Sequence, residues 1–190
     1  MKQKRLKRLF FVRPTLTIAR ELLGKYLVRK IGREKIVGRI VETEAYIGPE
    51  DRASRAFGGK ITPRNKTEYL EGGHIYIYLC YGMHWQLNIT TAKAGQPECV
   101  LLRALEPVEA KAGREKVASG PGKLCRWMRL DKSFDGEDLV ASKRVWLEAR
   151  GKRTKKSQII ATGRIGIDYA GKWAKKPWRF YIKNNPFVSR

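Results

Sequence analysis

The sequence predicts an α+β fold, a single domain built on a mostly antiparallel, curved, open-barrel-like sheet with surrounding helices and a protruding β-hairpin. Three observations predict it. Strand patterns follow one another across short turns, few segments carry a helical period, and 190 residues with 42% hydrophobic content suit one sizeable core better than two.

The first helical pattern follows Pro14, where Leu16, Ala19, Leu22 and Leu23 recur at helical spacing, with Thr15 or Thr17 as N-cap and Gly24 as the stop. "KYLVRKI" and "KIVGRIVETEAY" then read as two strands joined across Gly32-Arg33-Glu34, an antiparallel hairpin. Strand alternation puts Ile36, Gly38, Ile40, Glu42 and Glu44 on one face of the second strand and Val37, Arg39, Val41, Thr43 and Ala45 on the other. Two acids thus stand where apolar residues should continue. A polar loop runs from Gly48 to about Arg64, and "HIYIYLC" and "HWQLNIT" form the next hairpin across Tyr81-Gly82-Met83. "CVLLRALEP" is a further strand with Arg103 on the face opposite Leu102. "SGPGKLCRWM" reads as a helix with a proline in its first turn and Leu124, Trp127 and Met128 inward. The charge-rich "EARGKRTKKS" reads as a flexible loop, and "RIGIDYAGKW" and "WRFYIK" close the domain.

Charge narrows the partners. The chain has 41 Lys+Arg against 18 Asp+Glu, a net charge of +23, spread along its length and interleaved with aromatics. That pattern suits a folded nucleic-acid binder, with a ribosomal or general RNA-binding protein as the plain alternative. Cys80, Cys99 and Cys125 are scattered, and the only histidines are His74 and His84, so neither a disulfide framework nor a zinc site is indicated. The cysteines read as small core residues in a reducing compartment. No apolar run approaches a membrane span, and no membrane contact is expected. Residues 1–8, "MKQKRLKR", read as a flexible, solvated basic tail or a weak phosphate contact.

Three constellations carry chemistry. Glu42 and Glu44 lie two residues apart on a strand, a backbone separation of roughly 6.6 Å. One such carboxylate suffices as general base for a water that attacks the anomeric carbon of an N-glycosidic bond; ion-paired surface acids are the competing reading. Tyr46, Tyr76, Tyr78 and Tyr81 form an aromatic set. Tyr76 reads chiefly as core, whereas Tyr81 at a hairpin tip gains little burial and suits a wedge into a base stack. Tyr46 and Tyr78 could stack on an extruded base while Asn88 meets its edge. In "SGPGKLC" the helix start with Lys123 could hold a phosphate, or serve as a plain cap.

Together these residues resemble the alkyladenine (3-methyladenine) DNA glycosylase family. The matching text is "RIVETEAYIGPEDRAS", "TPRN", "IYIYLCYGMHWQLNI", "CVLLRALEP", "SGPGKLC", "DKSFDGEDL", "RIGIDYAGKWAKKPWRFYI" and "NPFVS", in order over nearly the whole chain. The resemblance implies a mixed, curved sheet and a metal-free, cofactor-free, monomeric and monofunctional enzyme. Such an enzyme flips damaged purines, alkylated or deaminated, out of double-stranded DNA and leaves an abasic site. It implies an intracellular protein, cytoplasmic and nucleoid-associated in a prokaryote or nuclear in a eukaryote. Carried over residue by residue, Glu44 matches the general base and Arg103 the arginine that helps place the water, while Glu42 matches no assigned role. Tyr46 and Tyr78 match the aromatics flanking the purine, Tyr81 the intercalating residue with Met83 beside it, and Asn88 the residue that crowds the guanine amine. Arg64 of "TPRN" and Lys123 are the phosphate-binding candidates. Arg55 falls where the family has a base-stacking histidine, which puts the substrate range in question. A damage-binding module that does not cut and a lyase with a lysine nucleophile are the competing functions.

Overall fold

A computed structural model describes residues 4–108, 116–150 and 153–189. In chain order the strands and helices are β1 (Lys4–Arg5), α1 (Arg8–Phe11), α2 (Thr15–Leu22), β2 (Tyr26–Ile31), β3 (Glu34–Ile47), β4 (Ile75–Cys80), β5 (His84–Thr90), β6 (Glu98–Pro107), α3 (Pro121–Met128), β7 (Val145–Ala149), β8 (Ile159–Thr162) and β9 (Arg179–Ile182). The strands form one sheet in the order β1-β7-β2-β3-β6-β5-β4, with β9 on β3 and β8 on β9, and it does not close into a barrel. Every described ladder is antiparallel, so the mixed sheet that the resemblance implied is replaced by an antiparallel one. Short turns account for this in the β2–β3 and β4–β5 hairpins.

The β2–β3 hairpin closes at Ile31↔Glu34, leaving Gly32 and Arg33 as its turn, and the φ of +57° at Gly32 is one that glycine adopts without steric cost. β3 organises the rest. Its 14 residues are long enough to pair β2 through Glu34–Arg39 and β9 through Glu42–Glu44 along one edge, with β6 along the other. The β3–β6 register shifts twice: Ile40 faces Leu105, Glu42 faces Ala104 and Thr43 faces Leu102. Val41 on β3 and Arg103 on β6 are therefore left over, one bulge on each strand. The simple alternation expected from Ile36 to Glu44 breaks at this point.

One apolar cluster underlies the sheet. α2 contributes Ile18, Ala19 and Leu22, and α3 contributes Leu124, Cys125 and Met128, each worth about 1.5–3 kcal/mol where a large side chain is fully buried. Trp127 is only partly buried and lies against Gly38, where an added Cβ would come within 3.0 Å of its ring and 2.9 Å of Leu105. α2 begins at Thr15 and has Gly24 just beyond it at φ +83°, as the pattern predicts, but no threonine caps it. Thr15 instead joins Thr91 at 2.6 Å and donates to Glu98, tying the helix to the sheet.

Two expected flexible segments are partly structured. Residues 1–3 lie outside the described set, but Lys4 and Arg5 pair with Ala149 and Glu148, and Arg5 donates to the Leu139 carbonyl at 2.7 Å. Arg8 pairs with Asp138 at 2.8 Å and Glu71 at 3.3 Å. The supposed tail, 1–8, is thus anchored from Lys4 onward, because it pairs with β7 and its cations find the Leu139 carbonyl and the Asp138 and Glu71 carboxylates. Of "EARGKRTKKS", Glu148 and Ala149 end β7, residues 151–152 lie outside the described set, and Thr154 donates to the Leu23 carbonyl at 3.1 Å.

Candidate active site

The two acids at the end of β3 are wholly buried, and each is surrounded by donors. Glu42 accepts from Arg103 Nε at 3.2 Å, Arg179 Nε at 2.6 Å and the Ser189 N–H at 2.7 Å. Glu44 Oε1 takes the Ile165 N–H at 2.9 Å and lies 3.3 Å from a terminal nitrogen of Arg103; Oε2 accepts from the Tyr46 hydroxyl at 2.9 Å. Arg103 bridges both carboxylates because the bulge takes it out of the β3–β6 ladder. Burial, and then the neighbouring Glu44 charge, hold the Tyr46 phenol well above its ordinary pKa, so it stays a donor.

Tyr46 joins this cluster to a second one. Its ring lines a pocket with Ala53, Arg55, Glu68, Tyr76, Tyr78, Asn88 and Cys99. The four predicted pocket residues Tyr46, Arg55, Tyr78 and Asn88 are therefore together. The Tyr76 and Tyr78 rings lie 5.2 Å apart, and the Arg55 guanidinium sits 4.1 Å from the Tyr78 ring centre. Asn88 donates to the carbonyls of Tyr76 at 3.2 Å and Gln86 at 3.3 Å, which fixes its amide. The enclosed space is about 10 Å³, room for a single water, so a base enters only as side chains move. A groove of about 520 Å³ lies elsewhere, lined by residues including Thr17, Arg20, Arg153 and Lys156; it holds none of these groups, so the chemistry rather than size marks the site.

The loop after β3 is held by a wholly buried ion pair. Arg164 meets Asp51 at 2.5 Å and 2.9 Å and donates to the Ala45 carbonyl at 3.0 Å, with its guanidinium 4.7 Å from the Tyr46 ring.

The hairpin tip stands apart from the pocket. Tyr81 is 83% and Met83 69% exposed, and Tyr81 holds a left-handed φ of +51°, a conformation uncommon for a bulky residue. The α3 start approaches the same hairpin, since a Cβ on Gly122 would meet His84 at 3.1 Å. Lys123 and Arg64 are both exposed, and neither lines the pocket. Sequence reasoning missed Arg179, Ser189, Ile165, Glu68 and the Asp51–Arg164 pair. It also left Cys99, a pocket wall whose thiol is raised in pKa by burial and by Glu68, among the core cysteines. Among the described residues no three His, Cys, Asp or Glu side chains gather as a metal site, and no helix is long and apolar enough to cross a membrane.

Comparison with known proteins agrees with this geometry. The family model described as methylpurine-DNA glycosylase matches residues 9–186. The chain is 44% identical over 200 residues to the DNA-3-methyladenine glycosylase of Mus musculus and 41% identical over 199 residues to that of Homo sapiens. It covers 95% of itself in both, and 60% and 66% of those longer proteins. It is 48% identical over 191 residues to a protein of Methanocella arvoryzae that carries a 3-methyladenine DNA glycosylase name, covering 94% of that chain. These matches define a DNA glycosylase, with DNA as its substrate. The chain belongs to the methylpurine-DNA glycosylase family.

Proposed function

We propose that the protein extrudes a damaged purine, alkylated or deaminated, from duplex DNA and hydrolyses its N-glycosidic bond with a water activated by Glu44. The observation that carries this reading is the placement of Glu44 behind Tyr46, with the carboxylate on one side of the phenol and the aromatic pocket on the other. Of the carboxylate lone pairs, both on Oε1 are engaged, by Arg103 and the Ile165 N–H, and one on Oε2 is engaged by Tyr46. The remaining Oε2 lone pair is the base. It takes a proton from water as the water oxygen bonds to the anomeric carbon, and the bonding electrons leave with the purine. Arg103, itself held by Glu42, fixes the position of the Glu44 carboxylate.

In the same reading Tyr78 and Tyr46 stack on the purine, Asn88 crowds the guanine amine, and Tyr81, flanked by Met83, fills the vacated stack. Lys123 and Arg64 hold phosphates. The protein acts as a monomer and needs no cofactor. No lysine is among the described residues lining the pocket, which favours hydrolysis over a lysine-dependent lyase.

The test is a duplex with one alkylated purine, half of it treated with alkali after incubation. Strand cleavage only after alkali is the expected result. Cleavage without alkali would mean a lyase, and cleavage in neither half a binding module.

A further inference from the structure

Glu68 is 1% exposed, on the short 3-10 turn Lys66–Tyr69, and it lines the base pocket. Its Oε1 accepts from Ser54 Oγ at 3.3 Å and from the Cys99 thiol at 3.4 Å. Its Oε2 is buried with no hydrogen-bond partner among the described residues, and the buried Tyr76 hydroxyl in the same pocket also lacks one. An unpartnered buried carboxyl oxygen is costly, and in a pocket that opens for a ligand the ligand is the natural partner.

We propose that Glu68 is a specificity-determining residue of this site, its free Oε2 meeting the extruded purine as a carboxylate when the base is cationic and as a neutral acid donor when the base is neutral. This inference rests on the glycosylase reading. Burial pushes the Glu68 carboxyl up to about 7, against the opposing pull of the Cys99 and Ser54 hydrogen bonds and the Arg55 charge, with Asp51 adding to the rise. Both forms are therefore populated near neutrality. The other titratable groups of the pocket do not change charge there: burial raises the Tyr76, Tyr78 and Cys99 pKa values as it does that of Tyr46. Arg55 remains a cation throughout.

An alkylated purine such as 7-methylguanine carries positive charge and attracts the ionised form. Hypoxanthine is neutral and offers ring and carbonyl acceptors to the protonated form. A single buried proton thereby sorts two classes of lesion.

The experiment is single-turnover excision of 7-methylguanine and hypoxanthine from otherwise identical duplexes by wild type, Glu68→Gln and Glu68→Leu. Each is measured from about pH 5.5 to about pH 8.5, a span that brackets the carboxyl titration. Taking the ratio of the two rates cancels any pH effect common to both bases, and the substrates' own titrations are common to all three proteins. For wild type, relative to Glu68→Gln, the 7-methylguanine to hypoxanthine ratio should rise about tenfold over this window. Glu68→Leu should show no such rise and should lose more hypoxanthine activity than Glu68→Gln, which keeps an amide donor. Glu68→Gln also keeps acceptors for Ser54 and Cys99, so a folding defect in the leucine variant leaves the comparison intact. Wild-type and Gln ratios that run parallel with pH would overturn this inference alone. No excision of either base by wild type would overturn it together with the proposed function.

Discussion

The two halves of the site, which meet at Tyr46, are built on opposite rules. Around Glu42 and Glu44, backbone N–H groups, two arginines and a phenol hold both carboxylates, and the cluster is assembled without substrate. Around Glu68 and Tyr76, polar atoms are buried and left unpartnered, and a lone arginine lies over an aromatic face. The difference suits the work proposed for each half. Water activation needs groups already in place, because reorganising them at the moment of reaction would raise the barrier. Base recognition needs groups whose bonding is incomplete until the right base arrives, because a fully satisfied wall discriminates little.

The largest expected effect falls in the completed half. Glu44→Gln should bind damaged duplex normally and lose base excision by about two to four orders of magnitude, the scale of general-base loss. Single-turnover kinetics with gel-shift binding measure both. Excision near the wild-type rate would show that the base is elsewhere.

The contrast predicts opposite signs for one glutamate from each half. Glu42→Gln leaves the part-buried Arg179 without its carboxylate and the buried Arg103 with Glu44 alone, and should cost about 3 kcal/mol of stability, read from denaturant midpoints. Glu68→Gln should instead stabilise. The native Glu68 pKa, about 7, lies above its ordinary value of 4.5, so the native state binds more protons between these values and wild-type stability falls as pH rises through them. The gain from Glu68→Gln should reach up to about 3 kcal/mol near pH 8, shrink as pH falls from about 7 toward the ordinary value, and vanish below it. A gain that grew toward acid pH would mean that Glu68 is ionised and paired rather than stranded.

How much of this was readable from residues alone divides along the same line. The end of β3, the strand carrying Arg103 and the Tyr81 hairpin were legible because alternation and turn residues are local signals. The bulges at Val41 and Arg103 were not, since a bulge leaves no mark in composition. Arg179, Ser189 and the Ile165 N–H reach the acids from the far end of the chain, and Glu68 reaches the pocket from a 3-10 turn. Nothing in the neighbouring sequence distinguishes such residues from solvated surface. The anchoring of Lys4 and Arg5 was hidden likewise, because a basic run looks the same whether its partner is solvent or β7.

A smaller effect belongs to the hairpin, outside both halves. Tyr81→Ala should slow excision roughly tenfold when the lesion faces its normal partner, because nothing then fills the stack. Opposite a mismatched base, already easier to unstack, the loss should be smaller. Excision rates on matched and mismatched duplexes decide this, and equal losses would remove Tyr81 from the wedge role.

The smallest effect sharpens the recognition half. Arg55 is exposed at the pocket mouth, and its guanidinium lies 4.1 Å from the Tyr78 ring centre, on a face that an incoming purine would use. A base must displace it or stack beneath it. The guanidinium is permanently charged, so beside 7-methylguanine it repels, whereas hypoxanthine and ethenoadenine meet no such penalty. Glu68, in the same pocket, offsets part of that repulsion once ionised, and solvent at the mouth screens more of it. The net preference for neutral lesions should therefore be modest. Arg55→His, with an imidazole largely neutral above pH 7, should raise the 7-methylguanine to hypoxanthine excision ratio by about threefold. Single-turnover rates at one salt concentration give the ratio. In Glu68→Gln, where the offset is gone, the same substitution should raise it further. An unchanged ratio in both backgrounds would mean that Arg55 swings clear of the pocket when DNA binds; a fall would mean that the histidine costs the cationic base a stacking partner worth more than the repulsion it removes.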